Sequence, residues 1–160
     1  MDKVCFTAAV ERYQNTVYRT AFHVLGSPQD ADDAVQEVFL RLFRHKGSFD
    51  GEDHLRRWLL RVTVNYCRDI LRSSWRKRRV SMEELPETPV FDKQSQAALY
   101  REVMALPEKY RIVLDLFYYE EFSVQEIGYL LDLGTSTVTT RLSRARQRLK
   151  ERLGEDWQDE

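Results

Sequence analysis

The sequence predicts an all-α protein made of two small helical domains, a helical bundle and a helix-turn-helix, joined by a flexible acidic linker. Three observations predict it. Apolar residues recur at i, i+3 and i+4 along most of the chain, and the alternation of a half-buried strand is absent. Glycine and proline are scarce, with six and four in 160 residues. Charge is segregated along the chain into a basic, an acidic and a second basic stretch. With 42% hydrophobic residues the chain can fill real cores, and 32% charged residues can solvate about seven long helices.

The first helix, about Val4 to Leu25, ends at Gly26, a natural left-handed stop. Ser27-Pro28-Gln29-Asp30 starts the second. Ser27 can cap, Pro28 suits the first helical position, and Asp30, Asp32 and Asp33 favour the positive end of the helix dipole. Its expected buried stripe is Val35, Val38, Phe39, Leu42 and Phe43, and it gives way to a loop over His45 to Gly51. The third helix, about His54 to Trp75, is expected to bury Leu55, Trp58, Leu59, Val62, Tyr66 and Ile70. Its opposite face carries Arg57, Arg61, Asn65, Arg68 and Arg72, spaced three or four apart and so forming one stripe.

Residues 80–93 are the expected linker. Ser81-Met82-Glu83-Glu84 imitates a capping box, but Pro86 and Pro89 follow too closely for a helix of any length. The domains are therefore expected at 1–79 and 94–160. Helical pattern resumes near Gln94, pauses at Leu106-Pro107 and continues through Tyr110, Val113, Leu114 and Phe117. Ser123-Val124-Gln125-Glu126 is a second capping box, this time leading into an apolar helix that reaches Leu131. After the turn Asp132-Leu133-Gly134, a last helix covers about Thr135 to Leu153.

Composition narrows the function. A formal net charge of −1 argues against a protein that coats nucleic acid indiscriminately. No apolar run approaches the ~20 residues of a membrane span, and Met1 to Val10 lacks the layout of a signal peptide, so a cytoplasmic location is expected. Cys5 and Cys67 are expected to be buried free thiols. His23, His45 and His54 are scattered, with no nucleophile elbow, phosphate loop or Cys/His metal spacing. No enzyme, metal or cofactor is expected. The average charge hides two basic patches, though. Asn65 to Arg79 carries six bases against Asp69, and Thr139 to Leu153 carries six against Glu151. Between them lie Glu83, Glu84, Glu87 and Asp92. This pattern suggests two contact points on a polyanion, with plain solvated helix faces as the other reading.

Ser123 to Arg146 is the strongest local signal: a short capped helix, a tight turn and a longer basic helix. Gly128 lies where the two helices must approach closely, and Asp132 tolerates the backbone angles of the turn. Val138 and Leu142 point inward, which leaves Thr137, Thr139, Thr140, Arg141 and Arg144 outward. Hydroxyls and arginines at the start of such a helix suit phosphate and base-edge contacts in a major groove. A protein-interaction surface is the other reading of the same hairpin.

Glu126-Ile127-Gly128, Leu131-Asp132-Leu133, Thr137-Val138 and Arg141-Leu142-Ser143-Arg144-Ala145-Arg146 resemble the region 4 signature of extracytoplasmic-function (ECF) sigma factors of the sigma-70 family. Leu106-Pro107-Glu108-Lys109-Tyr110-Arg111 resembles the helix that precedes it. Asp30 to Phe39 resembles region 2.2, and Trp58-Leu59-Leu60-Arg61-Val62 with Asn65 and Asp69-Ile70-Leu71-Arg72 resembles regions 2.3 and 2.4. The resemblance covers nearly the whole chain in the right order.

It implies a subunit that binds core RNA polymerase, directs it to promoters and starts transcription at −10 and −35 elements. Asp33, Gln36, Glu37 and Leu40 would dock on the β′ clamp coiled coil, with the β flap a further polymerase contact. Arg57, Arg61, Asn65, Arg68, Arg72 and Arg76 would face the −10 element, with a flipped base held in the loop Gly47 to Asp53. Thr137, Thr139, Thr140, Arg141 and Arg144 would read the −35 element. An anti-sigma factor is the implied regulator, and with the chain ending at Glu160 regulation is expected from separate proteins. Leu59 replaces a second Trp of housekeeping relatives, which implies weaker strand opening. Thr139 replaces a frequent Lys or Arg, and Gly134-Thr135-Ser136 a more usual Ser-Pro-Gly, so the −35 sequence read is expected to differ. The rival reading is a conventional helix-turn-helix regulator that binds promoters without polymerase; the Asp33 to Phe39 motif and the acidic linker argue against it.

Overall fold

The computed structural model describes residues 2–73 and 94–154, with the helical backbone alone for 94–96. Among the described residues every regular element is helical. The chain divides into two compact units, Met1–Pro86 and Glu87–Glu160. Residues 80–93, the expected linker, together with Trp75 and Arg76, lie outside the described residues.

Among its described residues the first unit is a bundle of three helices: α1 (Lys3–Leu25), α2 (Pro28–Arg44) and α3 (Glu52–Arg72). Local chemistry sets its boundaries. Gly26 closes α1 in the left-handed region at φ 71°, and its N–H donates to the Phe22 carbonyl at 2.7 Å. One residue on, the Ser27 hydroxyl accepts from Asp30 N–H at 3.2 Å with Pro28 in the first turn. A left-handed stop followed at once by a capped start turns the chain within two residues and makes α1 and α2 neighbours.

The core is built from Ala9, Tyr13 and Val17 of α1, Val38, Phe39 and Leu42 of α2, and Leu55 and Leu59 of α3. Two buried stripes differ from expectation. Phe43 is 59% exposed; it lies beyond the core, and α1 offers it only the edge of Phe6, with ring centroids 5.3 Å apart. On α3 the buried residues are Leu55, Leu59, Leu60, Thr63, Val64 and Cys67, whereas Trp58, Val62, Tyr66 and Ile70 are half-buried flanks. The helix is covered by both α1 and α2, so the stripe is wide and turned about one residue from the one expected. Thr63 is tolerated there because its hydroxyl donates to the Leu59 carbonyl at 2.7 Å. Cys67 is buried as expected, but Cys5 is exposed near the start of α1.

The second unit holds α4 (Gln94–Ala105), α5 (Glu108–Leu114), a π-helical turn (Asp115–Tyr119), α6 (Val124–Leu131) and α7 (Thr135–Leu153). At the Leu106-Pro107 corner Arg111 donates to the Met104 and Leu106 carbonyls at 3.2 and 2.6 Å. These bonds satisfy acceptors that the end of α4 leaves open. Both arms of the expected capping box are present at Ser123 and Glu126, each at 3.1 Å. Val138, Leu142, Ala145 and Leu149, spaced four, three and four apart, bury α7 against α4, α5 and α6.

Candidate nucleic-acid interface

The turn between α6 and α7 sets where the outward face of α7 lies. Asp132 adopts the left-handed conformation (φ 58°, ψ 48°), and Leu133 N–H donates to the Gly128 carbonyl at 2.8 Å. That bond draws the turn onto α6. A Cβ on Gly128 would stand 2.7 Å from the Leu133 carbonyl oxygen, so the missing side chain answers to the turn's backbone, where the sequence suggested the neighbouring helix. With the turn tight, α7 starts at Thr135 and exposes Thr137, Thr139, Thr140 and Arg144, with Arg141 half-buried beside them.

Beside this surface lies an open groove of about 340 Å³. Ser136, Thr137, Thr140, Arg141 and Arg144 line it from α7, and Lys109 and Tyr110 from α5. The structure therefore gathers four of the five α7 candidates around one cationic depression, with Thr139 outside its lining. Thr139 donates its hydroxyl to the Thr135 carbonyl at 3.0 Å. Lys109, Tyr110 and Ser136 lie in family-like segments of the sequence but are not among its expected DNA contacts. Only the packing of α5 on α7 makes Lys109 a neighbour of those contacts.

The basic run of α7 is not one patch. Arg146 donates through Nε to the Tyr118 hydroxyl at 2.7 Å, with its guanidinium 5.6 Å from the Phe117 and Tyr118 ring centres. Arg148 lies 4.8 Å over the Tyr110 ring, and Arg152 pairs with Glu102 at 3.0 Å. These three engage the unit's own residues.

In the first unit, Arg57, Asn65 and Arg72 are exposed along α3 and Arg61 and Arg68 half-buried, on the single face expected. Arg72 also meets Asp69 at 3.5 Å. The loop before α3 ends at Gly51, so Glu52 and Asp53 belong to the helix and not to the loop. Gly51 sits at φ 130°, ψ −177°, a region essentially reserved for glycine. The loop is fixed by aromatic contacts. Phe49 stacks on His45 at 4.9 Å and meets Trp58 edge-on at 5.6 Å, while Asp50 N–H donates to His54 Nδ1 at 2.9 Å. Trp58, half-buried, packs against the core and holds this loop.

On α2, Asp33, Gln36 and Leu40 are exposed and Glu37 half-buried, opposite the buried Ala31, Ala34, Val38 and Leu42. Glu37 pairs with Arg41 at 3.0 Å, and the Arg41 guanidinium lies 5.5 Å over the Tyr66 ring of α3. Burial first, then the charges of Asp33 and Glu37, raises the Tyr66 phenol above its ordinary value.

A helical bundle with a basic face on α3 and a helix-turn-helix whose second helix exposes hydroxyls and arginines fit a DNA-binding protein. Residues 9–77 match the family described as Sigma-70 region 2 and residues 96–149 that described as Sigma-70, region 4. The chain is 29% identical to the ECF RNA polymerase sigma factor SigW of Bacillus subtilis, over 95% of this chain and 90% of that one. It is 31% identical to the ECF RNA polymerase sigma factor SigM of Mycobacterium tuberculosis, over 96% and 79%. Its fold matches that of the sigma factor RpoE from Bartonella quintana, solved with the anti-sigma factor NepR, with a TM-score of 0.76 at 20% identity over 95% and 98% of the two chains. The chain belongs to the ECF sigma factors of the sigma-70 family, subunits that direct RNA polymerase to promoters. Among the described residues no helix is long and apolar enough to cross a membrane.

Proposed function

We propose that Asp33, Gln36, Glu37 and Leu40 of α2 dock this chain on the β′ clamp helices of core polymerase, that Arg57, Arg61, Asn65, Arg68 and Arg72 of α3, with Arg76 further along the sequence, face the −10 element, and that Thr137, Thr139, Thr140, Arg141 and Arg144 of α7 face the −35 element. Region 2 then spans 1–79 and region 4 spans 94–160, with 80–93 between them. The observation that carries the reading is the separation of faces. The exposed stripe of α2 mixes acids with an apolar Leu40, 42% exposed, whereas α3 and α7 each present bases beside small polar side chains. An acidic-apolar face suits a protein partner, and the basic ones suit phosphates. The β flap as the contact of region 4, an anti-sigma factor as regulator and a cytoplasmic location follow from the family reading.

The test is co-elution with core polymerase of the triple variant Asp33→Ala, Gln36→Ala, Leu40→Arg. All three positions are exposed, so the helical fold should persist. Binding should be lost; unaltered co-elution would sink the assignment of this face.

A further inference from the structure

The groove beside α7 has a wall that the reading helix does not supply. Lys109 is exposed on α5, and its Nζ lies 5.1 Å over the ring of Tyr110. Tyr110 is itself 3% exposed and carries Arg148 at 4.8 Å. A buried ring with cations drawn to it is a fixed platform, and it limits where the lysine head can go. From α7 the same groove is lined by Arg141 and Arg144, together with Ser136, Thr137 and Thr140. Three cations, several hydroxyl donors and no carboxylate line the space, a set that suits an anion.

Shape narrows the anion. The groove is open, which leaves room for an extended strand to run through it. It also lies alongside the surface of α7 proposed to read base edges. A helix in a major groove has the sugar–phosphate strand running past its side, where positioning contacts are made. We propose that α5 and α7 together form a backbone-phosphate subsite, with Lys109 and Arg141 or Arg144 jointly gripping a phosphodiester of the −35 strand. The proposal rests on the reading of α7 as the −35 helix and adds α5 to it. Lys109 contributes affinity and register, while base choice stays with α7.

The test compares Lys109→Ala, Lys109→Arg and Arg144→Ala, each as full-length chain bound to core polymerase, on promoter DNA over a salt series. For Lys109→Ala the slope of log affinity against log salt should fall by about 0.9, so the wild-type advantage shrinks by about 3.5-fold between 50 and 200 mM salt. The loss should be equal on promoters that differ at −35 base pairs, Lys109→Arg should restore it, and core binding should not change. An unchanged salt slope, a loss that depends on one base pair, or a loss of core binding in place of DNA binding would each overturn the subsite. The last outcome would make the groove a protein contact. If Arg144→Ala alters promoter binding and Lys109→Ala does not, the subsite alone fails; if neither does, the reading of α7 fails with it.

Discussion

Two positions apart on α7, Arg144 opens onto the groove while Arg146 is held by the Tyr118 hydroxyl and two aromatic faces. Side-chain direction on a helix separates them, since two residues turn about 200°. Charge counting in the sequence pools both in one patch, and only the contacts of Phe117 and Tyr118 with Arg146 tell them apart. The five outward residues of α7 were nevertheless legible, because Val138 and Leu142 fix the inward face by simple periodicity. Arg144→Ala should reduce promoter use. If Arg144 meets a phosphate, the loss is uniform across promoters; if it meets a guanine, discrimination at one base pair relaxes by about 1–3 kcal/mol. Transcription measured on a set of single-base −35 variants distinguishes the two, and wild-type output on all of them would remove Arg144 from the interface.

At the scale of the element, the ends of helices were more legible than their faces. Gly26, Ser27 with Pro28, and the Ser123–Glu126 box act within four residues, so sequence alone places them. The buried face of α3 depends on how α1 and α2 cover it, which periodicity does not encode; hence Thr63 and Cys67 are interior and Tyr66 only half so. Cys67 lies deep in this unit, and burial pushes its thiol up to about 12. Tyr13 is likewise raised to about 12, by burial and then by its hydrogen bond to Glu52. Both groups hold their protons longer in the folded unit than in the unfolded chain, where they titrate near 9.0 and 10.0. From about pH 9 to 12 the folded state therefore binds more protons, and stability falls as pH rises; below that window the contribution is constant. Denaturant midpoints across this range should fall, and less so in Cys67→Ala than in the natural chain. At about pH 8 a thiol reagent should modify Cys5 and leave Cys67 until the unit unfolds. Prompt reaction of both thiols would contradict the buried placement.

At the scale of the whole molecule, two units each carry a basic surface, yet the formal net charge is −1. Glu83, Glu84, Glu87 and Asp92 lie between the two basic segments in sequence and lower the field that the chain presents to DNA. The chain on its own is therefore expected to hold a promoter weakly. Polymerase, by engaging the chain, can present both units to one promoter, so that the second contact becomes intramolecular and the pair binds far more tightly than either. The most direct measurement is a gel-shift series on one promoter duplex with the natural chain and with its four acids changed to Ser, each with and without core polymerase. The natural chain alone should bind poorly, the neutralised chain alone more tightly, and core polymerase should convert the natural chain to tight, sequence-specific binding. Tight, sequence-specific binding by the natural chain without polymerase would contradict the account.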